Sequence, residues 1–228
     1  MTGDDDDDEP RSYASPPCFM GEVDPAYFGL APPPPPAPGV AAWRKAQRER
    51  LIAARLALPV SFRAEAAKNI ARTLDALIGD PAGRVVSAYW PFRGEPDLRP
   101  WLASLSDRGA RTALPVVLAS RTPLVFRSWR QGDRLARGVW NIPVPADGAV
   151  LVPDIVIAPL VGFDPGFYRL GYGGGFFDRT LAQLPETAVA IGVGYDQAGM
   201  ASILPQAHDI PMRHIVTETG IRRRQAGP

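Results

Sequence analysis

The stretch VPDIVIAPLVGFD, residues 152 to 164, is almost unbroken in apolar character, with acids only at Asp154 and Asp164. A strand with one wet face alternates apolar and polar side chains. A near-continuous run over about 155–163 instead fits a strand buried on both faces, as in a parallel sheet covered by helices. The next segment sharpens this: RLGYGGGFFDRTL, residues 169–181, sets four glycines in five positions and then turns into a helical pattern from about Phe176 through about Leu184. In open parallel sheets the loops leaving the carboxyl ends of strands carry the ligands.

The rest of the chain has the same alternation. WRKAQRERLIAARLAL (43–58) and FRAEAAKNIARTLDALI (62–78) have helical spacing and strong helix formers. The break between them at Pro59 and Ser61 reads as a cap, and Gly79 with Pro81 ends the second. Strands are expected over VVSAYW (85–90), RTALPVV (111–117), PLVFRSW (123–129), VAIGVGY (189–195) and HIVTETG (214–220), with a helix over LRPWLASLSDRG (98–109). The expected class is α/β: a three-layer domain, residues 43–228, with a mostly parallel sheet flanked by helices. No internal repeat is present.

Residues 1–42 differ in kind. They hold ten of the 26 prolines and a net charge of −7, while residues 43–228 carry +8. The acidic block and APPPPPAPGV read as a disordered extension ending in a polyproline spacer. Its aromatic middle (Tyr13, Phe19, Tyr27, Phe28) has a second reading as a docking element for a partner. A basic body attracts anions. No apolar run is long enough for a membrane span, and no RNA- or DNA-binding motif interleaves the basic residues with aromatics, so neither membrane nor nucleic acid is expected as a partner. The single cysteine, Cys18, excludes an intrachain disulfide and points to a reducing, cytoplasmic setting.

The glycine cluster matches neither the dinucleotide fingerprint nor the P-loop. Glycines let backbone amides approach phosphate oxygens, and Arg169 and Arg179 flank them; the plainer reading is a tight turn that needs positive φ. Asp178 is either a magnesium carboxylate beside a phosphate or an acid stabilised at a helix start.

The segment PLVGFDPGFYRLGYGGGFFDRTL resembles the signature of the 5-formyltetrahydrofolate cyclo-ligase (5,10-methenyltetrahydrofolate synthetase) family. YWPFRGEPDLRPWL, ALPVV, WNIPVP and LPQAHDIPMRHIVTETG agree in order, so the resemblance spans about residues 43–220. It implies an ATP- and Mg²⁺-dependent ring closure of 5-formyltetrahydrofolate to 5,10-methenyltetrahydrofolate, releasing ADP and phosphate. It also implies roles. Arg169, Leu170, Gly171, Tyr172, Gly173, Gly174, Gly175, Phe176, Phe177 and Asp178 wrap the ATP phosphates, with Arg44 and Arg48 from the first helix. Glu95 contacts the folate near its reacting end, and Trp90 stacks on the pterin. Glu95 and Arg169 are the catalytic pair, and Asp178 and Asp209 the magnesium carboxylates. The blander alternatives are a basic solvated helix face for Arg44 and Arg48, a helix start for Glu95 and a core position for Trp90. His208 is a further candidate proton carrier or a surface residue. Three features depart from the family: phenylalanines at 176 and 177 where tyrosines are usual, KAQRERL in place of a Lys-x-x-Leu-Arg pattern, and the 42-residue extension. A diverged paralog acting on another substrate, or a non-catalytic nucleotide-binding regulatory protein, are the alternatives these leave.

Overall fold

The computed structural model describes residues 39–222. Helix α1 (Val40–Leu56) begins three residues ahead of the expected Trp43, directly after Gly39 in a left-handed turn (φ 100°). The expected disorder and partner docking of the extension fall almost wholly outside the described residues. Pro59 precedes α2 (Val60–Ile78), and Ser61 makes no capping bond; it sits inside the first turn. Gly79 (φ 71°) ends α2 as read from the sequence.

Then come β1 (Val85–Ser87), α3 (Arg99–Asp107), β2 (Arg111–Val116), β3 (Val125–Ser128), β4 (Leu135–Arg137), β5 (Pro143–Pro145), β6 (Val150–Leu151) and β7 (Ile155–Pro159). The chain ends through β8 (Gly162–Phe163), β9 (Arg169–Leu170), α4 (Phe176–Leu181), β10 (Val189–Val193), β11 (His214–Thr217) and β12 (Gly220–Arg222). Eight strands form one sheet in the order β12-β11-β10-β7-β1-β2-β3-β6. The five central strands run parallel; β3, β6 and β12 pair antiparallel at the edges. The fold is therefore the mostly parallel α/β class expected.

Side chains alternate through the sheet and assign the layers. Ile155, Ile157, Ile191 and Val193 pack with Ile70 and Leu74 of α2 and Leu102 and Leu105 of α3. Val156 points the other way, towards α4, and Ala158 towards Leu51 of α1. Each two-sided strand buries apolar surface against both helical layers, which is why its sequence loses polar alternation.

The strand expected over about 155–163 is not continuous. β7 ends at Pro159, the chain leaves the sheet, and Gly162–Phe163 belong to a separate hairpin with Arg169–Leu170. The connection from β1 runs through α3 to β2 on one side, while β7 leads to β10 on the other. Segments 88–98 and 160–175 thus leave the sheet in opposite directions from neighbouring strands, opening a crevice at the switch point. Among the described residues no helix is long and apolar enough to cross a membrane.

Candidate functional site

That crevice holds a cleft of about 190 Å³. The residues to which the resemblance gives a role all line it, drawn from α1, the segment after β1, the glycine loop and residue 209. The cleft has a cationic half and an aromatic half.

The cationic half is built on the glycine loop. Gly173 (φ 94°) and Gly175 (φ 59°) occupy the left-handed region, as the tight-turn reading requires. Gly174 answers to close approach instead, since a Cβ there would lie 2.6 Å from the Phe176 ring. The tight turn that the sequence offered as the plainer reading is therefore present. Among the described residues, no backbone amide from Tyr172 to Asp178 donates a hydrogen bond. A row of unpaired donors is what an anion site offers. α4 has only six residues, shorter than the sequence suggests, so the loop amides rather than a long helix dipole define this half.

Arginines surround the loop. Arg169 is buried and donates to Asp178 Oδ2 at 2.8 Å, its guanidinium 5.0 Å from the Phe177 ring centre. Its Nε, like that of Arg179, is buried without a hydrogen-bond partner among the described residues. Arg44, Arg48, Leu51 and Arg55 share one face of α1, at three- and four-residue spacings. Arg44 pairs with Asp209 and donates to the Ile203 carbonyl at 3.0 Å. Arg48 donates from Nε to the Gly171 carbonyl at 2.8 Å and forms no ion pair among the described residues. Burial, then the neighbouring Arg44, lowers its pKa against the opposing pull of Asp209, leaving an uncompensated cation. These are not solvated basic positions.

Asp178 and Asp209 both face the loop, and each already has an arginine. Asp209 accepts from Arg44 and from the Gln206 amide at 2.6 Å. Asp178 gives Oδ2 to Arg169 and accepts only a 3.3 Å bond from the Ile210 amide at Oδ1. Among the described residues no group of three or more acids, histidines or cysteines is placed to hold a metal ion by itself. This donor set fits a magnesium ion carried mainly by phosphate oxygens, with Asp178 the freer carboxylate. His208 is half-exposed at the rim, its Nε2 3.9 Å from Asp209.

The aromatic half starts from Glu95. It precedes α3 by four residues and is buried, so it does not start that helix. Its carboxylate accepts from the Phe92 amide at 2.9 Å and the Tyr172 hydroxyl at 2.8 Å. Burial pushes its pKa up to about 7, against the opposing pull of Arg55, which lies close by. Trp90 lines the cleft and also packs on the core: it meets Trp129 edge-on at 6.3 Å and lies beneath Arg99 at 4.6 Å.

Sequence reasoning missed Phe92 and Trp140. Trp140 sits at the tip of the β4–β5 hairpin in a left-handed conformation (φ 55°), stacked on Phe92 at 6.3 Å and 10° and tilted against Tyr172 at 6.1 Å. The available signal was Trp140 itself, an aromatic amid turn residues in GVWNIPVP. The sequence marks Arg55 only as part of a basic helix; it is buried and binds the Arg93 and Leu160 carbonyls and the Tyr172 hydroxyl.

Taken together, the doubly wound sheet and its two-part crevice are those of a three-layer α/β enzyme. A family model for the 5-formyltetrahydrofolate cyclo-ligase family matches residues 40–218. The 5-formyltetrahydrofolate cyclo-ligase of Mycolicibacterium smegmatis is 32% identical over 178 residues, covering 75% of this chain and 91% of that protein. The Escherichia coli K12 protein of the same name is 32% identical over 143 residues, covering 60% and 79%. The solved structure of Aquifex aeolicus 5,10-methenyltetrahydrofolate synthetase superposes with a TM-score of 0.70 at 26% identity, covering 81% of this chain and 94% of that one. The chain belongs to the 5-formyltetrahydrofolate cyclo-ligase family.

Proposed function

We propose that this enzyme converts 5-formyltetrahydrofolate and ATP to 5,10-methenyltetrahydrofolate, ADP and phosphate, with Mg²⁺. One observation carries the reading: among the described residues, a row of amides with no acceptor and the Arg48 guanidinium with no ion pair share a single cleft with a buried carboxylate framed by aromatic rings. The first half suits a triphosphate, the second a pterin with a hydrogen-bonding edge.

The chemistry needs both halves at once. Ring closure must expel the formyl oxygen, and hydroxide is a poor leaving group. In the proposed sequence that oxygen attacks the γ-phosphorus and ADP leaves with the bridging oxygen. N10 then attacks the activated formyl carbon and loses its proton. Phosphate departs with the electron pair of the C–O bond, leaving the methenyl bridge between N5 and N10. Positioning and charge neutralisation carry most of such a transfer.

The residues divide accordingly. The amides from Tyr172 to Asp178 hold the phosphates, and Arg48 and Arg169 neutralise them. Arg44 holds the Asp209 segment in place against the loop. Asp178, whose Oδ1 accepts only a 3.3 Å bond from the Ile210 amide, would help hold a Mg²⁺ ion brought in with the nucleotide, which would supply further charge neutralisation there. Trp90, Phe92 and Trp140 exclude water and hold the pterin flat. Glu95, poised near neutrality, takes the N10 proton.

Purified protein given 5-formyltetrahydrofolate and Mg-ATP is expected to develop the near-ultraviolet absorbance of the methenyl product. ATP binding with no product would instead favour another substrate or a non-catalytic nucleotide-binding role.

A further inference from the structure

We propose that Tyr172 and Arg55 are positioning residues that hold Glu95 in its working geometry and tie it to the phosphate loop. The proposal rests on the cyclo-ligase reading of the cleft and goes beyond it. Tyr172 lies between Gly171 and Gly173, so its backbone belongs to the anion cradle. Its side chain crosses to the other half, where the hydroxyl donates to Glu95 Oε1 at 2.8 Å. The same hydroxyl accepts from Arg55 Nη2 at 2.6 Å. Arg55 cannot drift, because its other nitrogens are bound to the carbonyls of Arg93 (2.9 Å) and Leu160 (3.2 Å). Those carbonyls lie on the two segments that diverge at the switch point. One buried guanidinium therefore pins both walls of the crevice and the hydroxyl between them.

The hydroxyl has a second acceptor, the Phe92 carbonyl at 3.4 Å. When Glu95 is ionised the proton points to the carboxylate; when Glu95 is protonated it is free to turn to the carbonyl. The network thus favours the charged, proton-accepting form of Glu95. Other titratable groups facing Glu95 are Tyr89 and Tyr195, whose hydroxyls donate to the Pro96 and Gly94 carbonyls, each at 3.0 Å. Burial raises the pKa of Tyr89, Tyr172 and Tyr195, so all three stay neutral where Glu95 titrates. Arg55 is the charged partner that opposes Glu95's burial.

The test is Tyr172→Phe, which keeps the ring and removes only the oxygen. In protein labelled with ¹³C at the glutamate carboxyls, Glu95 is assigned by its loss in Glu95→Gln and titrated by NMR. Loss of a donor to the ionised form is expected to raise its midpoint by about one unit. The limb of kcat/KM that rises with pH then moves with it, costing about tenfold below the limb and little above about pH 9. A Glu95 midpoint unchanged in Tyr172→Phe, or a raised midpoint with an unmoved activity limb, overturns the proposal. A loop role alone would depress activity at every pH. If the wild-type protein makes no methenyl product, the cyclo-ligase reading fails by itself, and the NMR titration still decides whether Tyr172 controls Glu95.

Discussion

Glu95→Ala is expected to lower kcat for ring closure by about 10³-fold, within the usual worth of a positioned proton acceptor. Nucleotide affinity should change far less, by about fivefold at most, because the loop amides and Arg48 proposed to hold the phosphates reach this carboxylate only through the single Tyr172 hydroxyl bond. The variant should fold. Removing a buried acid whose pKa burial has raised also removes a desolvation cost at neutral pH. By linkage, an acid with its pKa raised in the fold favours folding below its unfolded value near 4.5 and loses that benefit as pH rises through about 7. At about pH 8 the wild type therefore carries a desolvated carboxylate that Glu95→Ala lacks. Isothermal titration with a non-hydrolysable ATP analogue and single-turnover absorbance separate binding from chemistry; near-normal turnover in Glu95→Ala would remove the acid from the mechanism.

Arg169→Ala is expected to fail differently. It removes a guanidinium that lies directly beneath the loop, where a Cβ on Gly171 would meet Nη1 at 2.7 Å. It also leaves the partly buried Asp178 without its cation. Nucleotide affinity should fall about 100-fold, the order expected when a charged hydrogen-bonding group is lost from a buried anion site. The stranded, partly buried carboxylate should cost about 1.5 kcal/mol of stability. Arg169→Lys keeps the charge but not the fork, and should recover more of the stability than of the affinity. Thermal melts and nucleotide titrations on both variants check this, and an Arg169→Ala protein with wild-type affinity would contradict it.

Much of this architecture is legible in the chain, for identifiable reasons. Ile155–Pro159 and Val189–Val193 sit between two helical layers, so composition alone marks them as parallel strands. The glycine loop is legible because few backbones tolerate such a cluster. What the chain hides is tertiary. The β4–β5 hairpin has a proline at each end of its second strand and only three residues in each arm, so it carries no strand pattern, and Trp140 at its tip looks like loop. Arg55 contacts residues 38, 105 and 117 positions away, and no local spacing reveals such partners. Asp209 reads as a metal carboxylate in AHDIP; its engagement by Arg44 across 165 residues appears only in the fold. One trace of the Arg55 network was present: arginines 44, 48 and 55 share the stripe of α1 that carries the buried Leu51. Charges on a buried stripe are costly unless paired, which marks them as more than a solvated face.

The most direct test tracks the oxygen. 5-Formyltetrahydrofolate carrying ¹⁸O in its formyl group is turned over with Mg-ATP in ordinary water, and the released phosphate is weighed by mass spectrometry. Transfer of the γ-phosphoryl group to the formyl oxygen predicts one ¹⁸O in every phosphate formed. Unlabelled phosphate, with the heavy isotope lost to solvent, would contradict it.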